Sequence, residues 1–395
     1  MSGIKLGPWP AGLDNVSDPV RRINGQTRTL ESLADAVDVV IDRDGWAQTR
    51  PGRTLLAAEA LHSLWRSADG TTYGGRGAEL VRVQYPGTIT SLYTCPSAGP
   101  FGFADTPSGV VWTAGQFIGE IRDGTPRQLG VTDGSAFNAT AIAAGGLDAG
   151  TYAVAVAYVD EWGREGGLSA LQFLQVATGG GIRLTATTWP DEAVEARVYR
   201  TKANGDVLYS AASIPWGTAD YMIGAGAVGR LPLTQHLRRM VGGRHVAHWR
   251  GRLLVAGTHT LRWSEPMGMH LYSPRHNWLQ FPHAIRFLAA VEGGVWVGHA
   301  RGVDWLGGTR PGDWTRSATS AAPPMAHSAV IVPASELPTD LAAGNADAAV
   351  WMSERGFCVG TADGRLIEVQ AKRVRAAGSG VCALHHNRRL TAFTQ

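Results

Sequence analysis

Gly251-Arg-Leu-Leu-Val-Ala-Gly257 is followed by Thr258-His-Thr260 and then by Leu261-Arg-Trp263. A short apolar run, a polar turn and a second short run read as two strands joined tightly. The pattern returns at Gly294-Val-Trp-Val-Gly298, with His299-Ala-Arg301 and Gly302-Val-Asp-Trp305. It returns again at Gly356-Phe-Cys-Val-Gly360, with Thr361-Ala-Asp363 and Gly364-Arg-Leu-Ile367. A weaker copy opens at Gly109-Val-Val-Trp-Thr-Ala-Gly115. Val255 and Val297 stand 42 positions apart, close to the roughly 40–45 residues of one propeller blade. Val297 and Val359 stand 62 apart, which a longer loop would absorb. No WD-type blade signature occurs, so the repetition favours a β-propeller over an irregular stack of hairpins on rhythm alone.

The rest of the chain keeps the same rhythm. Gly is abundant, with 51 residues, and apolar runs of four to seven residues are cut by Arg43-Asp44-Gly45, Ala68-Asp69-Gly70, Asn204-Gly205 and Ala362-Asp363-Gly364. That is all-β punctuation. The one fair helical stretch is 29–39, where Leu30, Leu33, Ala34 and Val37 share a face, and it turns β-branched at Val39-Val40-Ile41. The middle differs. Tyr152, Val154, Val156 and Tyr158 alternate with Ala153, Ala155 and Ala157, so one face of that strand is bulky and the other admits close packing. A polar turn, Asp160-Glu-Trp-Gly-Arg-Glu-Gly-Gly167, and further alternating runs at 182–187 and 196–201 follow. These describe a small β-sandwich. The expected division is an N-terminal segment 1–35, a first propeller part 36–138, an inserted sandwich 139–225 and a second propeller part 226–395.

At 395 residues the chain exceeds one ordinary core, and the 44% hydrophobic fraction is normal for a globular protein. No run approaches the roughly 18 apolar residues of a membrane span, so no membrane insertion is expected. The first ten residues lack an apolar stretch and do not read as a secretory signal, which places synthesis in a cytoplasm. Cys95, Cys358 and Cys382 are too few and too scattered for a disulfide framework and read as packed thiols. The net charge of +3 demands no nucleic acid, yet only Lys5, Lys202 and Lys372 are lysines, the other basic residues being Arg.

Each stretch that could carry chemistry has a plainer reading. Ser67-Ala-Asp69-Gly70 approaches a sialidase-type Asp-box but lacks one residue and occurs once, so it reads as a hairpin turn. Asp160-Glu161 and Asp191-Glu192 are adjacent carboxylate pairs in turns and read as solvated charges, not as the facing pair that glycoside hydrolysis needs. His245 and His248 would point to opposite faces of a strand, and His385-His386 has no ligand pattern around it. Gly179-Gly180-Gly181 lacks the Lys and helix of a phosphate cradle. Trp249, Trp263, Trp278, Trp296, Trp305 and Trp314 read first as core between blades and second as interface. The expectation is a chain with no catalytic, cofactor-binding or metal residues, and no enzyme.

Gly12-Leu-Asp-Asn-Val-Ser-Asp-Pro19, Leu33-Ala-Asp-Ala-Val-Asp-Val-Val-Ile-Asp42 and Gly45-Trp-Ala-Gln-Thr-Arg-Pro-Gly-Arg53 together resemble the opening of short-tailed bacteriophage tail nozzles, also called packaged-DNA stabilisation proteins. The stretch from Tyr152 to Ser169, continued by Val198-Tyr-Arg-Thr201, resembles the fibronectin type III-like module of phage virion proteins. Arg262-Trp-Ser-Glu-Pro266 is similar to a stretch that opens a blade in such proteins. The resemblance implies an all-β, propeller-like subunit of a virion tail, assembled in the host bacterial cytoplasm. It implies a homo-oligomeric ring, six copies being the first expectation, below the portal and adaptor and beside other tail proteins. Packaged double-stranded DNA would pass through its channel with weak contacts, and the module would be free for host-surface contact. The irregular opening supplies the candidate docking segment: Gly7, Pro8, Trp9, Asp14, Asn15, Asp18, Pro19, Arg21 and Arg22. The alternative is a receptor- or carbohydrate-binding β-propeller of a virion or cell surface.

Overall fold

Short strands separated by glycine-bearing turns make up the computed structural model, which describes residues 7–36, 39–42, 44–49, 55, 58–134, 137–186, 189–378, 380–385 and 389–394. Val37, Asp38, Arg43, Arg50, Pro51 and His386 lie outside the described residues, as do the side chains of Pro19 and Cys382. The fold is all-β and propeller-like: its repeating element is a four-stranded sheet whose strands follow one another in chain order. The only helical elements among the described residues are three short 3-10 turns. The helical face expected over 29–39 does not form. Ser32–Leu33 instead pairs in parallel with Gly12–Leu13, and Leu30 bridges Ile23.

Two compact units share the chain, Met1–Ala60, Val83–Ile89 and Phe281–Gln395 in one, Leu61–Arg82 and Thr90–Gln280 in the other. The second unit carries most of a sheet over 62–94, and whole sheets over 101–128 and 245–280. The first carries sheets over 285–318 and 330–368. The repeated sequence copies map onto these sheets unevenly. Gly109–Ala114, Arg252–Ala256 and Gly294–His299 are second strands, but Gly356–Gly360 is a third strand. The long interval before the last copy is therefore not one extended loop; that copy sits one strand further into its sheet.

The better marker of the repeat is a buried indole. Trp112, Trp296 and Trp351 lie on the second strands of three sheets and are fully buried. An indole of that size needs a missing side chain opposite it. A Cβ on Gly119, the register partner of Trp112, would stand 2.3 Å from the ring, and one on Gly360 would stand 2.5 Å from Trp296. Two of these indole NH groups have partners distant in the chain: Trp112 Nε1 donates to Cys95 Sγ at 3.4 Å and Trp296 Nε1 to the Thr361 carbonyl at 3.1 Å. Trp249 and Trp263 are buried as well, while Trp278 is about half exposed. Core packing therefore accounts for most of the tryptophan crowding. Burial pushes the Cys358 thiol up to about 11, so it stays protonated at neutral pH.

Within the second unit, residues 137–223 build two facing sheets. Phe137–Leu147, Gly180–Ala186 and Asp220–Ile223 form one; Gln172–Val176, Gly150–Val159, Glu195–Arg200 and Tyr209–Pro215 form the other. Tyr152, Val154, Val156 and Tyr158 enter the core between the sheets, with Ile182, Leu184, Val198 and Ile214. The alanine face is buried too: Ala155 and Ala157 pack with Leu168, Tyr199 and Leu208. Small side chains on that face let the turn after the strand fold back over it, and that turn positions the site.

Candidate functional site

Residues 160–168 leave the strand Gly150–Val159 as a polar turn. Asp160 organises it: its Oδ1 accepts from the backbone amides of Trp162 at 3.0 Å and Arg164 at 2.9 Å. The turn brings Arg164 back over its own start. Arg164 Nε donates to Asp160 Oδ2 at 2.6 Å, and its other two nitrogens donate to both oxygens of Glu120, at 2.5 and 3.1 Å. Glu120 lies on the strand Phe117–Arg122 and is 2% exposed; Asp160 is 4% exposed. Burial works against the Arg164 cation, but hydrogen bonding and attraction from Glu120 and then Asp160 outweigh it and hold the guanidinium protonated. One guanidinium thus bridges two buried carboxylates, a geometry for which arginine's planar fork is suited.

Glu165, the next residue, faces the other way. Its carboxylate accepts from the Arg197 guanidinium, from the Tyr199 hydroxyl at 2.8 Å and from the Thr234 hydroxyl at 3.1 Å. Burial, and after it the Glu165 carboxylate, push the Tyr199 phenol up to about 12. The Glu165 carbonyl accepts from His270 Nε2 at 3.2 Å, and since a carbonyl cannot donate, this nitrogen carries the proton. Burial, and next the Arg164 charge, drive the His270 imidazole down to about 4, so it is neutral at pH 7. Asp133 completes the arrangement by accepting from the amides of Gly167 and Arg239, each at 3.0 Å. One turn is therefore tied to residues 120, 133, 197, 199, 234 and 270.

Two cavities flank this network. One, of about 280 Å³, is bounded by Glu120, Arg122, Arg164, Met267, Met269 and His270, among others. The other, of about 440 Å³, is lined by Tyr93, Arg127, Gln128, Glu161, Trp162, Asp191 and Glu192, together with Asp160 and Arg164. Over Trp162 stand the guanidiniums of Arg127, Arg122 and Arg164, 4.0–4.6 Å from the ring centroid. Arg127 also pairs with Glu161. Glu192 Oε1 accepts from Gln128 Nε2 at 2.8 Å and from the amide and hydroxyl of Thr132 at 3.0 and 2.5 Å. This corrects the reading of Asp160-Glu161 and Asp191-Glu192 as separate solvated charges. Both pairs do lie in turns, but the fold gathers them at one cavity and buries Asp160. Glu120, Trp162, Arg164 and His270 were not singled out from the sequence. The signals were present: a charge interrupting an apolar strand at 120, and an indole and an i, i+4 Asp–Arg pair inside a polar turn.

The other features take their places plainly. Ser67-Ala-Asp69-Gly70 is a hairpin turn whose Ser67 hydroxyl donates to Asp105 at 2.5 Å. Gly179 closes a tight turn with φ +77°. Among the described residues, no group of three or more His, Cys, Asp or Glu is placed to hold a metal ion.

The candidate docking segment lies in the first unit. Trp9 donates its amide to the Gly45 carbonyl at 2.6 Å. Asp14 is buried and accepts from the amides of Ser17 at 2.8 Å and Val16 at 3.2 Å. Burial raises its carboxyl, but these bonds, with Arg22 nearby, bring it below the usual range. Asn15 exchanges hydrogen bonds with the backbone of Arg375, at 2.8 and 2.7 Å, and its own amide donates a third to the Arg373 carbonyl. Asp18 caps the short 3-10 turn Pro19–Arg22 through the Val20 amide at 2.9 Å, and the Arg22 guanidinium donates to the Ser17 carbonyl. Gly7, Pro8 and Arg21 contribute no side-chain hydrogen bond among those described. Val16, Val20, Ile23 and Leu30 are 41–76% exposed.

No family model and no curated protein matches the chain. Among solved structures it is similar to a gluconolactonase, XC5397 from Xanthomonas campestris, at 14% identity over 86% of this chain and 84% of that one, with a TM-score of 0.37. It is similar to a streptogramin B lyase at 9% identity, over 84% and 89% of the two chains, TM-score 0.33. It is similar to BBS1N in complex with ARL6DN at 12% identity, over 85% and 90%, TM-score 0.33. Likeness at this level transfers no activity. It does correct one expectation. Two of these chains, the gluconolactonase and the lyase, are enzymes, and the expectation of a non-enzyme is withdrawn.

Proposed function

We propose that this chain is a subunit of a short-tailed bacteriophage tail that docks through its N-terminal segment. The observation that carries the reading is residues 7–30: a segment without a core of its own, fastened through Asn15 to Arg373 and Arg375, that turns Val16, Val20, Ile23 and Leu30 outward. Apolar side chains held in fixed positions at the surface are the composition of an interface, not of a solvated loop. The nozzle-like motifs fall in and just after the same segment. On this reading the partner is the platform above the subunit, portal or adaptor, and the copies form a ring in the virion. DNA passing through needs weak contact, because dense Lys/Arg lining would hold phosphates in a salt-dependent grip; the net charge of +3 suits that. Whether the sandwich over 137–223 belongs to the fibronectin type III family rests on resemblance alone, and a role for it at the host surface is part of the same proposal.

The test is incorporation. A Val20→Asp/Ile23→Asp chain should fold as the parent does and fail to enter phage particles. Normal incorporation of that chain would remove the segment from the interface. Absence of the parent chain from purified virions would end the tail reading.

A further inference from the structure

The 440 Å³ cavity beside Trp162 has a construction that the assembly reading does not use. Its volume falls within the roughly 300–1,000 Å³ of small-molecule sites. It lies where the sheet over 101–128 meets the sandwich, inside one compact unit. Its wall alternates donors and acceptors on planar side chains: Arg127 and Gln128 against Glu161, Asp191 and Glu192. Such groups match the vicinal hydroxyls of a polyol, each able to give and take a hydrogen bond. The lining is also held in place before any ligand arrives. Three guanidiniums stand against Trp162, and Glu192 is fixed by Gln128 and Thr132. Preorganised polar groups lose less on binding. The Nε of Arg127 is buried without a hydrogen-bond partner, a donor that the wall leaves unsatisfied. Asp191 is exposed and makes no ion pair among the described residues.

Charge narrows the ligand. Asp160, Glu161, Asp191 and Glu192, with Glu120 behind them, face Arg122, Arg127 and Arg164, an excess of two carboxylates, and Arg164 is already spent on Glu120 and Asp160. An anionic ligand meets repulsion there, whereas a neutral or amino-substituted polyol does not. We infer that this cavity binds a neutral or amino pyranose, held by hydrogen bonds that Arg127 and Gln128 donate and that Asp191, Glu161 and Glu192 accept, and not by stacking, since guanidiniums crowd the indole. This holds whether or not the chain enters a virion.

The test is saturation-transfer NMR and calorimetry on the full chain with three probes: methyl glucoside, glucosamine and glucuronic acid. The expected result is saturable binding of methyl glucoside or glucosamine, weaker by tenfold or more for glucuronic acid. Asp191→Ala and Arg127→Ala should each weaken it by at least fivefold with the circular dichroism unchanged; Asp191→Asn serves if either variant misfolds. No saturable binding of either favoured probe at millimolar concentration overturns the inference. So does binding that all three variants leave intact, or a preference for glucuronic acid.

Discussion

Asp14 and Asp160 begin two loops in the same way. Each accepts backbone amides from two residues downstream: Val16 and Ser17 for one, Trp162 and Arg164 for the other. Both loops are rich in Gly or Pro and read alike as polar, irregular sequence. Their fates differ because of what meets the second carboxylate oxygen. At Asp160 a guanidinium closes the loop and reaches on to Glu120, a carboxylate buried on another sheet. At Asp14 no such bridge forms among the described residues, and Arg22 spends its donors on the Ser17 carbonyl. A self-capping aspartate thus makes a loop; a shared counter-charge ties that loop to a carboxylate on another sheet.

Removing that counter-charge should have the largest effect. Arg164→Ala leaves Glu120 and Asp160 buried without a cation and should cost about 3–5 kcal/mol of stability, read by denaturant unfolding. Arg164→Lys should recover only part of it, because an ammonium cannot fork to two carboxylates. A variant with near-parental stability would mean that the network is solvated and the contrast with Asp14 is empty.

Acid gives the next effect. The unfolded chain protonates His270 near its ordinary 6.5, the folded chain only near 4. Between those values the unfolded state holds more protons, so stability is full above pH 6.5 and falls as pH falls toward 4. The loss attributable to this group is of order 3 kcal/mol. His270→Gln, which keeps a donor for the Glu165 carbonyl, should flatten that part of the pH–stability curve. An unchanged slope in the variant would place the acid sensitivity elsewhere. Gly119→Ala, which drives a Cβ against Trp112, should cost about 1–3 kcal/mol, with the repeat's buried indole as the site of damage. At the N-terminal segment the effect should be smallest: Asn15→Ala should change global stability by about 0.5 kcal/mol or less while freeing the segment locally.

The difference between the two loops also marks how far the sequence could be read. Strand rhythm was legible because its period is local: Tyr152 to Tyr158 alternates, and the fold buries the tyrosine–valine face between sheets and the alanine face under the turn. Glu120, Arg164 and His270 are 44 or more positions from one another in the chain, and no local pattern brings them together. The pairing is a consequence of sheet-to-sheet packing. The adjacent carboxylates were visible, but their burial was not, because burial depends on an arginine arriving from the same turn and a glutamate arriving from a distant strand. The repeat misled in one respect. Gly-rich strand–turn–strand stretches occur at more than one place in a four-stranded sheet, so the last copy was aligned one strand out, whereas the fully buried tryptophans at 112, 296 and 351 keep the register.

Amide hydrogen exchange followed residue by residue tests this contrast most directly. The amides of Arg164, Gly166 and Gly167 donate to Asp160, Tyr158 and Asp133 within the junction; those of Asn15, Ser17 and Val20 donate to Arg373, Asp14 and Asp18 in the N-terminal segment. The account predicts that the first set exchanges only with global unfolding and loses protection in Arg164→Ala, while the second exchanges through local opening in both chains. Equal protection of the two sets in the parent chain, or no change at 164–167 in the variant, would contradict it.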